Sequence, residues 1–167
     1  WRALLADQNC DADGRPLAGG YTYDVPADAP RVRVLSPGVA RGRLTGGNLS
    51  LVAALMGTPY EIETAGRILF LEDVDERPYR IDRFLSQLKL AGKLQAAAGV
   101  ILGQFPGCVP KEGDASLTLD EGFAAYFAGL GVPVIADFPA GHAKLNATLP
   151  MNALVEVDAD AGCVRVL

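Results

Sequence analysis

The chain has 167 residues, half of them apolar and 21% charged, with a formal net charge of −5. That length and composition fit one globular domain, with room for an appended arm. The chain has no Lys/Arg cluster to track nucleic-acid phosphates and no apolar run near the ~20 residues that span a bilayer.

No basic segment followed by an apolar stretch marks a signal peptide. The opening "WRALLADQNC" lacks an initiator methionine and reads as the middle of something longer. Residues 1–30 are irregular: 1–6 resemble the end of a helix, and 14–20 and 26–30 have turn and linker composition. "VRVL" at 32–35 reads as a short strand closed by Pro37 and Gly38. "GRLTGGNLSLVAALMG" reads as a glycine-rich turn opening a helix, with Asn48 as N-cap and Gly57 at C′. Leu51, Val52, Leu55 and Met56 make that helix's apolar face.

"ILFL" at 68–71 reads as a buried strand that ends in the carboxylates Glu72 and Asp73. "PYRIDRFLSQLKLAG" is an amphipathic helix, with Pro78 suited to its first turn and Gly92 ending it. A second buried strand is expected at 99–103. Thr118 and Glu121 form a capping box for the next helix. A third buried strand spans 133–137 and leads into the long loop "PAGHAKLNATLP". The last fifteen residues alternate as a hairpin around Asp160 and Gly162. Strands separated by helices imply parallel βαβ units. The fold class is therefore α/β, a mixed sheet of βαβ units plus a C-terminal hairpin.

Ligands in open α/β sheets gather beyond the carboxyl ends of the strands. The first strand ends at Glu72 and Asp73, and the third leads to His142, the sole histidine. Parallel strands put both on one edge. A neutral imidazole is a general base near neutral pH, and a carboxylate on its other nitrogen fixes its tautomer. Neighbours on an extended chain point to opposite faces, so only one of Glu72 and Asp73 can aim at His142, and spacing alone leaves the choice open. The bland readings are a surface loop histidine and a carboxylate, Asp73 or Asp75, that caps the following helix.

Ser36, Ser50, Ser86 and Ser116 sit in no strand-to-helix elbow, so the residues supply a base and its orienting acid without a nucleophile. Cys10, Cys108 and Cys163 form no CxxC pair, which with a single histidine argues against a zinc site and for free thiols. "GGN" at 46–48 lacks the lysine of a phosphate-binding loop.

"GRLTGGNLSLVAALMGTPYE", "GRILFLEDVDERPYRIDRFLSQLKLAG", "AGVILGQF" and "PVIADFPAGHAKLNATLPMNALVEVD" resemble, in order and spacing, the C-terminal domain of the LD-carboxypeptidases. That serine peptidase family includes muramoyltetrapeptide carboxypeptidase and the microcin-immunity peptidases. The resemblance covers roughly 35–167 and implies a swivelling β/β/α-like domain at 36–167, with 1–35 the tail of a missing nucleophile domain plus linker. It implies Glu72 and His142 as the catalytic residues in this chain and no metal or other cofactor. It further implies release of the terminal D-alanine from muropeptide tetrapeptides, in cytoplasmic peptidoglycan recycling, by a homodimer. The expected partners are the muropeptide and the missing domain, with no nucleic acid and no membrane. The family pattern "GHG" departs here to Ala143 after His142, while Asn146 is kept. Two other readings compete: a non-catalytic module that binds a peptide or partner, and a thiol hydrolase built on Cys108 with His142.

Overall fold

The computed structural model describes residues 21–23, 31–113 and 116–167. The helix-end and linker expectations within 1–20 and 24–30, and Cys10, lie outside them. In chain order the elements are β1 (Tyr21–Thr22), β2 (Arg33–Ser36), β3 (Val39–Asn48), α1 (Leu49–Ala54) and β4 (Ile68–Glu72). They continue with α2 (Pro78–Leu90), α3 (Lys93–Ala96), β5 (Gly99–Leu102), α4 (Leu119–Phe127), β6 (Val134–Ala136), β7 (Leu154–Asp158) and β8 (Cys163–Val166).

The strands make one sheet in the order β1-β8-β7-β3-β4-β5-β6-β2. Its centre is parallel, with β3 beside β4, β4 beside β5 and β5 beside β6. β2 closes one edge against β6, and the β7–β8 hairpin extends the other side, all antiparallel. The expected α/β class with mixed pairing is what the chain adopts.

β3 corrects the expected glycine-rich turn. Its first half, Val39 to Arg43, pairs antiparallel with β7, and its second half, Leu44 to Asn48, pairs parallel with β4. Gly46 is inside the strand because the backbone of β4 leaves no room there for a side chain, whereas Gly47 has open space and a φ of 140°. A β-carbon at Gly46, which has φ of 125°, would lie 1.8 Å from the Phe70 carbonyl oxygen. Glycine is the residue for such close backbone approach. α1 is correspondingly shorter than expected. It stops at Ala54 with Leu55 as its cap, so Gly57, at φ of 80°, lies two residues past that cap. Asn48 does cap it, accepting from the Leu51 N–H at 3.2 Å. The Thr118–Glu121 capping box forms on α4 as the pattern predicts.

Two cores flank the sheet. The helices cover one face, where Leu69, Leu71, Leu85, Leu88, Leu102 and Phe127 pack together. On the other face Ile68, Phe70, Ile101 and Phe138 meet Val155, Val157 and Val164 of the hairpin. Alternation along β4 therefore assigns Ile68 and Phe70 to the hairpin face and Leu69 and Leu71 to the helix face. Glu72 continues the first series and Asp73 the second.

Candidate active site

That parity divides the two carboxylates. Glu72, 5% exposed at the end of β4, points to the face on which the loop after β6 folds back. His142 stands on that loop, and its Nδ1 lies 2.6 Å from Glu72 Oε2. A carboxylate at this distance accepts, so in the neutral ring Nδ1 carries the proton and Nε2 keeps its lone pair. The imidazole is 51% exposed and borders an open cleft of about 330 Å³, lined also by Gly47, Phe70, Asn146 and Met151.

Asp73 takes the other direction and another task. Its carboxylate accepts from the Ser50 N–H at 2.9 Å and from Asn48 Nδ2 at 3.0 Å, which caps α1. The expected cap on the following helix is therefore corrected. α2 starts after Arg77 with no side-chain cap, and Pro78 at its first turn removes one donor that would need one.

Close packing fixes the pair. Gly141 has φ of 133°, and a β-carbon there would stand 2.8 Å from Glu72 Oε2. Just past the end of neighbouring β5, a β-carbon at Gly103 would come 3.0 Å from Glu72 Cβ. The Gly141 N–H donates to Asn146 Oδ1 at 3.1 Å, so the retained asparagine braces the residue before His142. Ala143 needs no special backbone, because among the described residues the non-glycines at positive φ are Asp75, Asp137 and Asn152. The roles of Gly103 and Gly141 have no signal in the residues themselves, since each depends on which chain segments touch, and Asn146 is marked by the family resemblance alone.

The Glu72 hydrogen bond, and then its charge, raises the His142 imidazolium above its ordinary pKa of 6.5, against a smaller opposing effect of burial. The base-and-acid pair read from the sequence thus comes together, with Glu72 as the carboxylate. The serines stay elsewhere. The Ser50 hydroxyl donates to Asn48 Oδ1 at 2.6 Å. Ser36 pairs with Val134 at the far end of β6, Ser86 lies within α2, and Ser116 bonds the neighbouring Leu117 carbonyl. Cys108, 1% exposed in the helix-side core, has its thiol pushed up to about 11 by burial. A thiol so protonated and buried on the helix side of the sheet, with Glu72 and His142 on the other side, is poorly placed to attack a substrate, which weighs against the Cys108 hydrolase reading. Among the described residues, no group of three or more His, Cys, Asp or Glu side chains could hold a metal ion, and no helix is long and apolar enough to cross a membrane.

The family model for the LD-carboxypeptidase C-terminal domain matches residues 41–157. A probable murein peptide carboxypeptidase of Bacillus subtilis is 46% identical over 119 residues, which cover 71% of this chain and 37% of that protein. The crystal structure of muramoyltetrapeptide carboxypeptidase from Oxalobacter formigenes superposes with a TM-score of 0.72 at 29% identity, over 89% of this chain and 50% of that one. The microcin C7 self-immunity protein MccF, in complex with aspartyl sulfamoyl adenosine, superposes with a TM-score of 0.78 at 25% identity, over 91% and 51%. The chain spans less than half the length of the curated relatives it matches. Matched over most of its length by that domain, the chain belongs to the LD-carboxypeptidase family, of which it carries the C-terminal domain.

Proposed function

We propose that this chain supplies the acid–base half of a serine-type LD-carboxypeptidase that removes the terminal D-alanine from muropeptide tetrapeptides. Residues 36–167 are the body of the domain that carries Glu72 and His142, and 1–35 are the tail of a nucleophile domain plus its linker, of which Tyr21, Thr22, Arg33 and Val34 pair into this domain's sheet. The observation that carries this reading is the 2.6 Å bond from Nδ1 to a buried Glu72, with the imidazole open to a cleft. The names of the relatives support the substrate class.

The chemistry follows from the tautomer. A serine hydroxyl from the preceding domain attacks the peptide carbonyl while His142 Nε2 takes its proton. Glu72 stabilises the imidazolium, which then protonates the D-alanine amine as the C–N bond breaks. Water, deprotonated by the same nitrogen, hydrolyses the acyl-serine. No metal or organic cofactor is needed for this sequence. The working protein is a cytoplasmic homodimer in cell-wall peptide recycling.

A second reading, a module that binds peptide or partner without hydrolysis, is favoured by one feature. Leu55, Tyr60 and Met151, 43%, 79% and 48% exposed, line a second cleft that shares Gly46 and Met151 with the first. D-alanine release from a muropeptide tetrapeptide, by this chain alone and with the upstream segment added, separates the two. Release only in the mixture supports the proposal. Binding without release in either supports the module.

A further inference from the structure

The loop that carries His142 leaves β6 and returns to β7, and its two limbs touch near their base. The Ala147 N–H donates to the Pro139 carbonyl at 2.6 Å. Tyr23 reaches both limbs from outside. Its ring stands edge-on to Phe138, with centroids 5.8 Å apart and planes at 88°. Its hydroxyl donates to the carbonyl of Thr148, 125 positions along the chain. Tyr23 is held in turn: its N–H donates to the Val164 carbonyl at 3.0 Å, continuing the pairing of β1 with β8. Phe138 is fully buried and Tyr23 is 8% exposed, so the ring contact is part of the core.

The imidazole is half exposed, and its hydrogen bond among the described residues is the one to Glu72. Ordering a loop costs conformational entropy in every residue, so contacts at its base decide how long its tip stays in register. Tyr23 also lies outside the 41–157 that the family domain matches.

We propose that Tyr23 is a positioning residue for His142: its ring and hydroxyl clamp the two limbs of the 138–148 loop and so hold the imidazole against Glu72. This inference rests on the reading of Glu72 and His142 as a working pair. It makes the arm at 21–23 part of the site's architecture, because that arm joins the edge of the sheet to the catalytic loop.

His142 is the one histidine, so its hydrogen-bonded Nδ1 proton gives a single downfield NMR signal whose exchange with water can be timed. Tyr23→Phe keeps the ring contact and removes the hydroxyl. It is expected to speed that exchange about fivefold, the factor that losing one ordinary hydrogen bond gives. Val52→Ala, which loosens the helix-side core, is expected to leave the exchange unchanged. Exchange at the wild-type rate in Tyr23→Phe, with the signal lost in Glu72→Ala, would overturn the clamp and spare the pair. Equal acceleration in Val52→Ala would also overturn the clamp, because general loosening would then explain the effect. A signal that survives in Glu72→Ala, which removes the acceptor, would overturn the pair and the clamp together.

Discussion

Gly141 lies so close above Glu72 that a β-carbon at position 141 would stand 2.8 Å from the carboxylate oxygen that holds His142. The neighbour that must yield is the functional carboxylate itself. The φ of 133° adds backbone strain for any other residue. Gly141→Ala is therefore expected to displace Glu72 or the loop and to lower kcat by roughly 100-fold, the usual effect of an ångström-scale misplacement. Steady-state kinetics on the whole enzyme, with the melting temperature recorded alongside, checks this. Unchanged kcat would mean that the 2.6 Å contact is dispensable.

Asp73 acts chiefly on the fold, and its charge is the last and smallest of the influences that raise His142. It is 2% exposed and accepts from the Ser50 N–H and the Asn48 amide. Asp73→Ala leaves both donors without their acceptor, so a loss of about 1–3 kcal/mol is expected. The denaturant midpoint measures it. Losing activity at full stability would instead place Asp73 in the chemistry.

The His142 pKa gives a pH signature. The carboxylate of Glu72 raises it above 6.5, and the base works only when deprotonated. The acid limb of kcat/KM, which reports the free enzyme, should therefore lie above 6.5 and move down in Glu72→Gln. The same shift favours the folded state in full below 6.5 and fades as pH rises through the raised value. Solvent screening of a half-exposed ring keeps that contribution small. A limb below 6.5 in the wild type would contradict the pairing.

The buried thiol gives a chemical check. With its pKa pushed up to about 11 and 1% exposure, Cys108 should resist alkylation in the native protein at pH 8. Cys163 is partly exposed and should react first. Mass spectrometry of peptides after iodoacetamide treatment distinguishes the two. Rapid labelling of Cys108 with loss of turnover would revive it as a nucleophile.

Much of this was legible in the residues, and the failures have physical causes. Long apolar runs bounded by turn residues marked β4, β5 and β6, because strands buried on both faces carry little else. Asn48 and the Thr118–Glu121 pair mark helix starts through local hydrogen bonding, and Pro78 marks one through its fixed φ and missing N–H. The glycines of β3 misled, since glycine signals a turn locally, whereas here Gly46 serves a contact with Phe70 far along the chain. The choice between Glu72 and Asp73 was open for a similar reason. Strand alternation separates the two, but which face holds the histidine loop depends on the path after β6. The clamp from Tyr23 to Thr148 joins segments at opposite ends of the chain, and no local pattern encodes it.

The central claim is that Glu72 and His142 act as one acid–base unit, and turnover of their variants in the whole enzyme tests it most directly. His142→Ala is expected to lower kcat by roughly 1000-fold or more, and Glu72→Gln by a comparable factor. The double variant should be little worse than His142→Ala, because residues that act as a unit are not additive. Melting temperatures near wild type would show that folding is kept. If either single variant, folded, retained more than about a tenth of the wild-type rate, far above the residue that such a unit leaves, the assignment would be contradicted.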